Sequence, residues 1–155
     1  PREGPHALRR DRKATAMIKE IVKDEALLTT PCEPATAEDA AVVQDLIDTL
    51  ASLEDAACLA ANQIGVTKAL AVYLDEAEEP RALYNPKLKQ ALRPYKALET
   101  CFSCDGEAKV TRFDWINVTY DELVDGQLVP RKGKFTGWEA QMIQHAIDHC
   151  KGKLI

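Results

Sequence analysis

The apolar residues of this chain keep a helical period in two places only, and the stretch between them reads as strand. In "PATAEDAAVVQDLIDTLASLED", Thr36 followed by Asp39 has the form of an N-terminal capping box. Val43, Leu46, Ile47, Leu50 and Leu53 then fall at the three-and-four spacing of an amphipathic helix. The second helical pattern is C-terminal: Thr136 with Glu139 has the same capping form, and the spacing predicts a helix from Gly137 to Lys151 that Gly152 terminates. Between them, "ACLAANQIGVTKALAVYL" predicts a tight loop of small residues through Gly65 and a strand over 69–74. "RALYNPKL" reads as a short strand ended by Asn85-Pro86. "DWINVTYDELVDGQLVPRKGKF" reads as a hairpin, because Ile116, Val118 and Tyr120 alternate with polar neighbours and Asp125-Gly126 supplies the turn. Upstream, "MIKEIVKDEALL" fits a short strand or a turn of helix. One helix, a series of short strands and one helix is an α+β order, with too few helices for βαβ units.

At 155 residues the chain is long enough to bury a core without covalent staples. Residues 17–155 are expected to form one domain. Residues 1–16 carry Arg2, Arg9, Arg10, Arg12 and Lys13 with almost no apolar periodicity, and read as a basic, mobile N-terminal extension. The net charge of −5 argues against a nucleic-acid surface, and no apolar run approaches the roughly 18 residues that span a bilayer. Five cysteines, an odd number, fit a reducing compartment better than a disulfide scaffold, so the expected location is cytoplasmic.

The chemistry concentrates on the last helix. His145 and His149 lie four residues apart in "QHAIDHCKGKLI" and so project from one helical face. Helices of metal-dependent proteases carry H-E-x-x-H, with a glutamate to move protons; here Ala146 stands at that place. Asp148 points off the histidine face, where it can support a neighbouring strand or loop. Two imidazoles do not complete a site, and "ETCFSCDG" offers thiols at Cys101 and Cys104. One thiolate with both histidines gives a three-ligand site with an open position, as in catalysis; both thiolates with both histidines give a closed, structural Cys2His2 site. The spacing permits either. Cys150, turned to another helical face, reads as core.

Three stretches together resemble peptide deformylase, the enzyme that removes the formyl group from new protein N-termini. The family motifs G-x-G-x-A-A-x-Q, E-G-C-x-S and H-E-x-x-H are matched in order by "AACLAANQ" (56–63), "ETCFS" (99–103) and "HAIDH" (145–149). The likeness covers roughly Met17 to Ile155, most closely the short Gram-positive and clostridial forms. It implies antiparallel strands packed around a C-terminal metal-binding helix. It implies Cys101, His145 and His149 as ligands of one divalent metal ion, iron(II) in the family, with zinc or nickel suited to the same donors. Gln63 and the backbone N–H of Phe102 become donors to the formyl oxygen. Cys58, Gln63 and Phe102 line the substrate, and Glu99 holds the ligand loop. The implied partner is an N-formylated peptide, such as a nascent chain near the ribosome, with no nucleic acid or membrane.

The departures from the family pattern gather around the same residues. Ala56 and Cys58 replace two glycines, Thr100 replaces a third, Phe102 stands where leucine is usual, and Ala146 replaces the general acid/base glutamate. Positioned acid–base catalysis contributes typically about 10² to 10⁴-fold, and a methyl group carries no proton. The chain therefore reads as a deformylase-type metallohydrolase with impaired turnover. The alternatives are an inactive homologue that binds metal and peptide N-termini, and a structural Cys2His2 zinc protein. If the fold is as the resemblance implies, Cys58 and Cys104 lie near the metal, either as competing thiols or as a buried hydrophobe and a loop residue.

Overall fold

The computed structural model describes residues 17–101 and 103–154, with the side chains of 104 and 105 excluded. The basic extension and the Phe102 N–H therefore lie outside the described residues, as does the thiol of Cys104. The first element is a single turn, α1 (Glu25–Leu28), capped by the Asp24 side chain on the Ala26 N–H. The preceding "MIKEIVK" forms neither strand nor helix; it is laid along the molecule by the Val22 N–H donating to the Gln63 carbonyl at 2.8 Å.

The expected capping box at Thr36 is present, with Asp39 accepting from the Thr36 N–H at 2.8 Å. It opens a 3-10 turn (Ala37–Asp39) that runs into α2 (Ala40–Ser52). Leu46 and Leu50, on the apolar face of α2, are buried with Leu59, Leu70, Val72 and Tyr84. Burying side chains of this size contributes roughly 1.5 to 3 kcal/mol each before the entropy of ordering them.

Five strands follow in sequence order as one antiparallel meander: β1 (Cys58–Ala60), β2 (Leu70–Leu74), β3 (Pro80–Cys101), β4 (Cys104–Val124) and β5 (Gln127–Thr136). Asp125 and Gly126 turn the β4–β5 hairpin with φ of 49° and 81°, the doubly left-handed geometry that Asp-Gly favours. Two expectations about the strands need correction. The small-residue segment around Cys58 is not all loop, since Cys58, Leu59 and Ala60 pair with Tyr73, Val72 and Ala71. The middle of the chain is also not a series of short strands. β3 runs for 22 residues and β4 for 21, and Asn85-Pro86 does not end the first of them.

The chain passes Pro86 through an irregularity between Tyr84 and Lys87, where proline's missing donor breaks no ladder bond. Asn85 takes the left-handed turn there, φ 53°. Its side chain is fixed three ways: Oδ1 accepts from the Ala35 N–H, and Nδ2 donates to the Ala35 carbonyl and to Asp121. Beyond it, burial alternates along the end of β3, with Tyr95, Ala97, Glu99 and Cys101 on the more buried side, but exposed Leu98 and buried Glu99 invert the apolar pattern, so the sequence does not mark it.

The last element is α3 (Gly137–Cys150), which packs against all five strands. Ala140, Ile143 and Ile147 bury one face of it against Tyr73, Leu83, Ile116 and Val118. The antiparallel sheet with flanking helices is the α+β arrangement expected. The second capping box is not formed: Thr136 makes no side-chain cap. It remains the last residue of β5, paired with Trp115, and the chain turns into the helix only at Gly137, φ 58°. Gly152 does end the helix, at φ 73°, where a Cβ would come within 2.8 Å of the Thr29 carbonyl oxygen.

Candidate metal centre

The end of β3 and the middle of α3 meet at three ligand-capable atoms. Cys101 Sγ lies 3.3 Å from His149 Nε2, and His149 Nε2 lies 3.1 Å from His145 Nε2. All three atoms fall within 4.8 Å of one another. The helix brings the imidazoles together because residues four apart share a face. Tetrahedral coordination with ordinary bond lengths would separate two nitrogens by about 3.3 Å, and nitrogen from sulfur by about 3.6 Å. Two of the separations are a few tenths shorter, while the three atoms together span up to 4.8 Å, so holding one ion would draw Cys101 and His145 closer together.

Protonation favours the same reading. His149 is fully buried, and burial first, with electrostatic repulsion from its neighbours His145 and Arg112 against a second proton, pushes it down to about 3. Its ring is therefore neutral and keeps a lone pair. Among the described residues its buried Nδ1 has no hydrogen-bond partner. His145 Nδ1 faces Glu99 Oε1 at 3.0 Å; a proton held on Nδ1 leaves the Nε2 lone pair turned to the cluster.

Glu99 anchors a buried polar network. Its carboxylate accepts from Arg112 Nη2 and Nε at 2.7 and 2.8 Å, and from Gln141 Nε2 at 2.9 Å. Burial disfavours its charge, but the hydrogen bonds from His145 and Arg112 outweigh that and hold it at about 2. Arg112, on β4, also reaches Asp148 Oδ2 at 2.7 Å, so Asp148 supports a neighbouring strand from off the histidine face. Arg112 and Gln141 were not singled out in the sequence, and nothing in their local pattern marks them. Arg112 is one basic residue in a strand, and its partners are 13 and 36 positions away.

A cavity of about 340 Å³ opens onto this cluster, lined among others by Cys58, Gln63, Glu99, Cys101, Met142 and His145. The Gln63 side-chain oxygen accepts from the Ala60 N–H at 3.0 Å, which turns its Nε2 toward Cys101 Sγ (3.4 Å) and Ser103 Oγ (3.3 Å). Ser103, the serine of the second motif, is buried here and its N–H points at Cys101 Sγ. Cys58 shares the cavity wall but is not one of the converging ligand atoms. Burial, then the negative charges of Cys101 and Glu99, push its thiol up to about 12 and keep it neutral. Ala146 is 1% exposed and packs with Ala60, Ala71 and Cys150. It does not line the cavity.

Residues 18–155 match the family model described as polypeptide deformylase. The chain belongs to the polypeptide deformylase family. It is 42% identical over 141 residues to a peptide deformylase of Clostridium beijerinckii, covering 90% of this chain and all of that one. To peptide deformylase 3 of Shewanella oneidensis it is 36% identical, covering 72% of this chain and 69% of the relative. Among solved structures, a peptide deformylase from Legionella pneumophila superposes with a TM-score of 0.77 at 28% identity, covering 88% of this chain and 83% of that one. One from Synechococcus elongatus in complex with actinonin superposes at 0.76 and 27% identity, covering 90% and 76%. Family membership makes the chain a peptide deformylase-type, metal-dependent hydrolase of protein biosynthesis by descent, and its cavity sits on a Cys/His/His group that could hold the ion.

Proposed function

We propose that this deformylase-family chain binds one divalent metal ion through Cys101, His145 and His149, and holds the formylated N-terminal methionine of a nascent polypeptide against it in the cytoplasm. The observation that carries the reading is the convergence of those three atoms at the cavity that Gln63 also lines. An iron(II) ion, or zinc or nickel, would polarise the formyl carbonyl and make water more acidic. The rest falls to the chain itself. Gln63, its oxygen tied to Ala60, presents only its N–H groups to the developing oxyanion, and the Phe102 backbone N–H serves as a second donor. A preset donor of this kind is worth about 2.7 to 4 kcal/mol in a transition state. Glu99, held by Arg112 and Gln141, keeps the His145 ring oriented. The working unit is residues 17–155, with 1–16 preceding it.

Ala146 sets the pace. Its methyl is packed among alanines and can neither take a proton from water nor give one to the leaving amine, so the site binds substrate and turns it over slowly. The test is formate release from a formyl-Met tripeptide by nickel-loaded protein, with and without Ala146→Glu. The substitution is expected to raise the rate by about 10² to 10⁴-fold. No gain with one equivalent of metal bound would defeat the assignment. The same observation favours a second reading, capture of formylated N-termini without hydrolysis. Calorimetric titration tests it: formylated peptide should bind more tightly than its unformylated counterpart even where no formate appears.

A further inference from the structure

Behind the metal helix, away from the cavity just described, two thiols share a second cavity. Cys32, on the segment after α1, is half-buried, and Cys150, the last residue of α3, is buried. Both line a hollow of about 680 Å³ with Pro34, Ala69, Lys87 and Lys151 among the other walls. Cys32 Sγ lies 3.9 Å from the His149 carbonyl oxygen, an atom of the peptide group that joins His149 to Cys150. The same carbonyl accepts from Asn62 Nδ2 at 2.8 Å, which fixes the helix end where the thiol meets it. The turn beyond the helix presses on the chain just before Cys32, since no Cβ fits at Gly152 against Thr29 and Thr30.

We propose that Cys32 and Cys150 are an oxidative cross-linking site, closing to a disulfide when the protein meets a peroxide. Cys32, the more accessible, reacts first: its sulfur takes one oxygen of hydrogen peroxide and becomes a sulfenic acid, releasing water. The Cys150 sulfur then attacks the Cys32 sulfur. The S–S bond forms as the S–O bond breaks, and the departing hydroxide leaves as a second water with the Cys150 proton. In sum, two thiols and one peroxide give one disulfide and two waters. The link ties the N-terminal segment to the end of the helix that carries both imidazoles. It does not depend on any deformylase activity.

The experiment uses the full chain loaded with one equivalent of nickel, treated with hydrogen peroxide, quenched, unfolded in acidic guanidinium and alkylated. Free thiols should fall by two from the five in the sequence. Peptide mapping should yield one dithiothreitol-reversible species joining the peptides of Cys32 and Cys150, and the thermal midpoint of the oxidised protein should rise by several degrees. In Cys32→Ser, a half-exposed and mild change, Cys150 should stay alkylatable and the midpoint unmoved. A cross-link between any other pair would overturn the proposal, and so would conversion of Cys32 to a sulfinic acid while Cys150 stays free.

Discussion

Arg112 closes on Glu99 through two parallel hydrogen bonds, 2.7 and 2.8 Å, with both side chains almost wholly buried. The pair is joined by Asp148 on the second side of the guanidinium and by His145 on the second side of the carboxylate. Removing one member strands the others. Arg112→Ala leaves two carboxylates facing each other with no cation between them, a loss of roughly 3 to 5 kcal/mol for a broken buried pair. Chemical denaturation should show a fall of that size. A change under 1 kcal/mol would mean the network contributes little to the fold.

Glu99→Gln keeps the size of the side chain and removes the charge that His145 Nδ1 faces. Partners of metal-bound histidines are commonly worth about 10 to 100-fold in affinity. Competition against a chromophoric chelator should show weakening of that order, and unchanged affinity would place His145's orientation elsewhere.

Cys101→Ala takes the thiolate out of the converging Cys101, His145 and His149 group. Equilibrium dialysis followed by metal analysis should show stoichiometry dropping from near one ion per chain toward none. X-ray absorption on the unaltered protein should find one sulfur and two imidazole nitrogens. Two sulfurs would instead support the closed Cys2His2 alternative.

Gly152→Ala tests the helix stop. The left-handed backbone costs a side chain roughly 1 to 2 kcal/mol, and contact with the Thr29 carbonyl adds to it. A lowered thermal midpoint with metal binding retained is expected. An unchanged midpoint would show that the turn simply shifts.

Tyr73 supplies a pH test away from the metal. Burial, and then the charges of Glu139 and Tyr120, raise its phenol above the ordinary value. A group whose folded pKa is raised stabilises fully below its unfolded pKa, near 10, and loses that contribution as pH climbs past it. Stability should therefore decline above about pH 10, and Tyr73→Phe should flatten the decline. Identical alkaline profiles would remove Tyr73 as the cause.

What the sequence disclosed follows the range of each signal. Asp125-Gly126, the Thr36–Asp39 cap and the His145–His149 spacing are local, each resolved within a few residues, and all three appear in the structure. The length of β3 was hidden because its exposed positions carry Leu92 and Leu98 beside Lys87, Lys89, Arg93 and Lys96, while a buried one carries Glu99, so polarity does not follow burial. Asn85-Pro86 reads as a stop because the side-chain bonds that carry the strand past it run to Ala35 and Asp121, both far away in the chain. Thr136 and Glu139 carried a cap signature that the β5 pairing pre-empted. Cys101 and Cys104 were both candidate partners for the histidines, and only the three-motif resemblance singled out Cys101; Arg112 lacked even that.

The placement of the two imidazoles has a consequence in time. During synthesis every residue of the meander, 58–136, is joined to the chain before either histidine of α3 has been made. Cys101 must wait across 48 positions for His149. The three ligand-capable atoms can therefore come together only once α3 has been made and packed against the sheet.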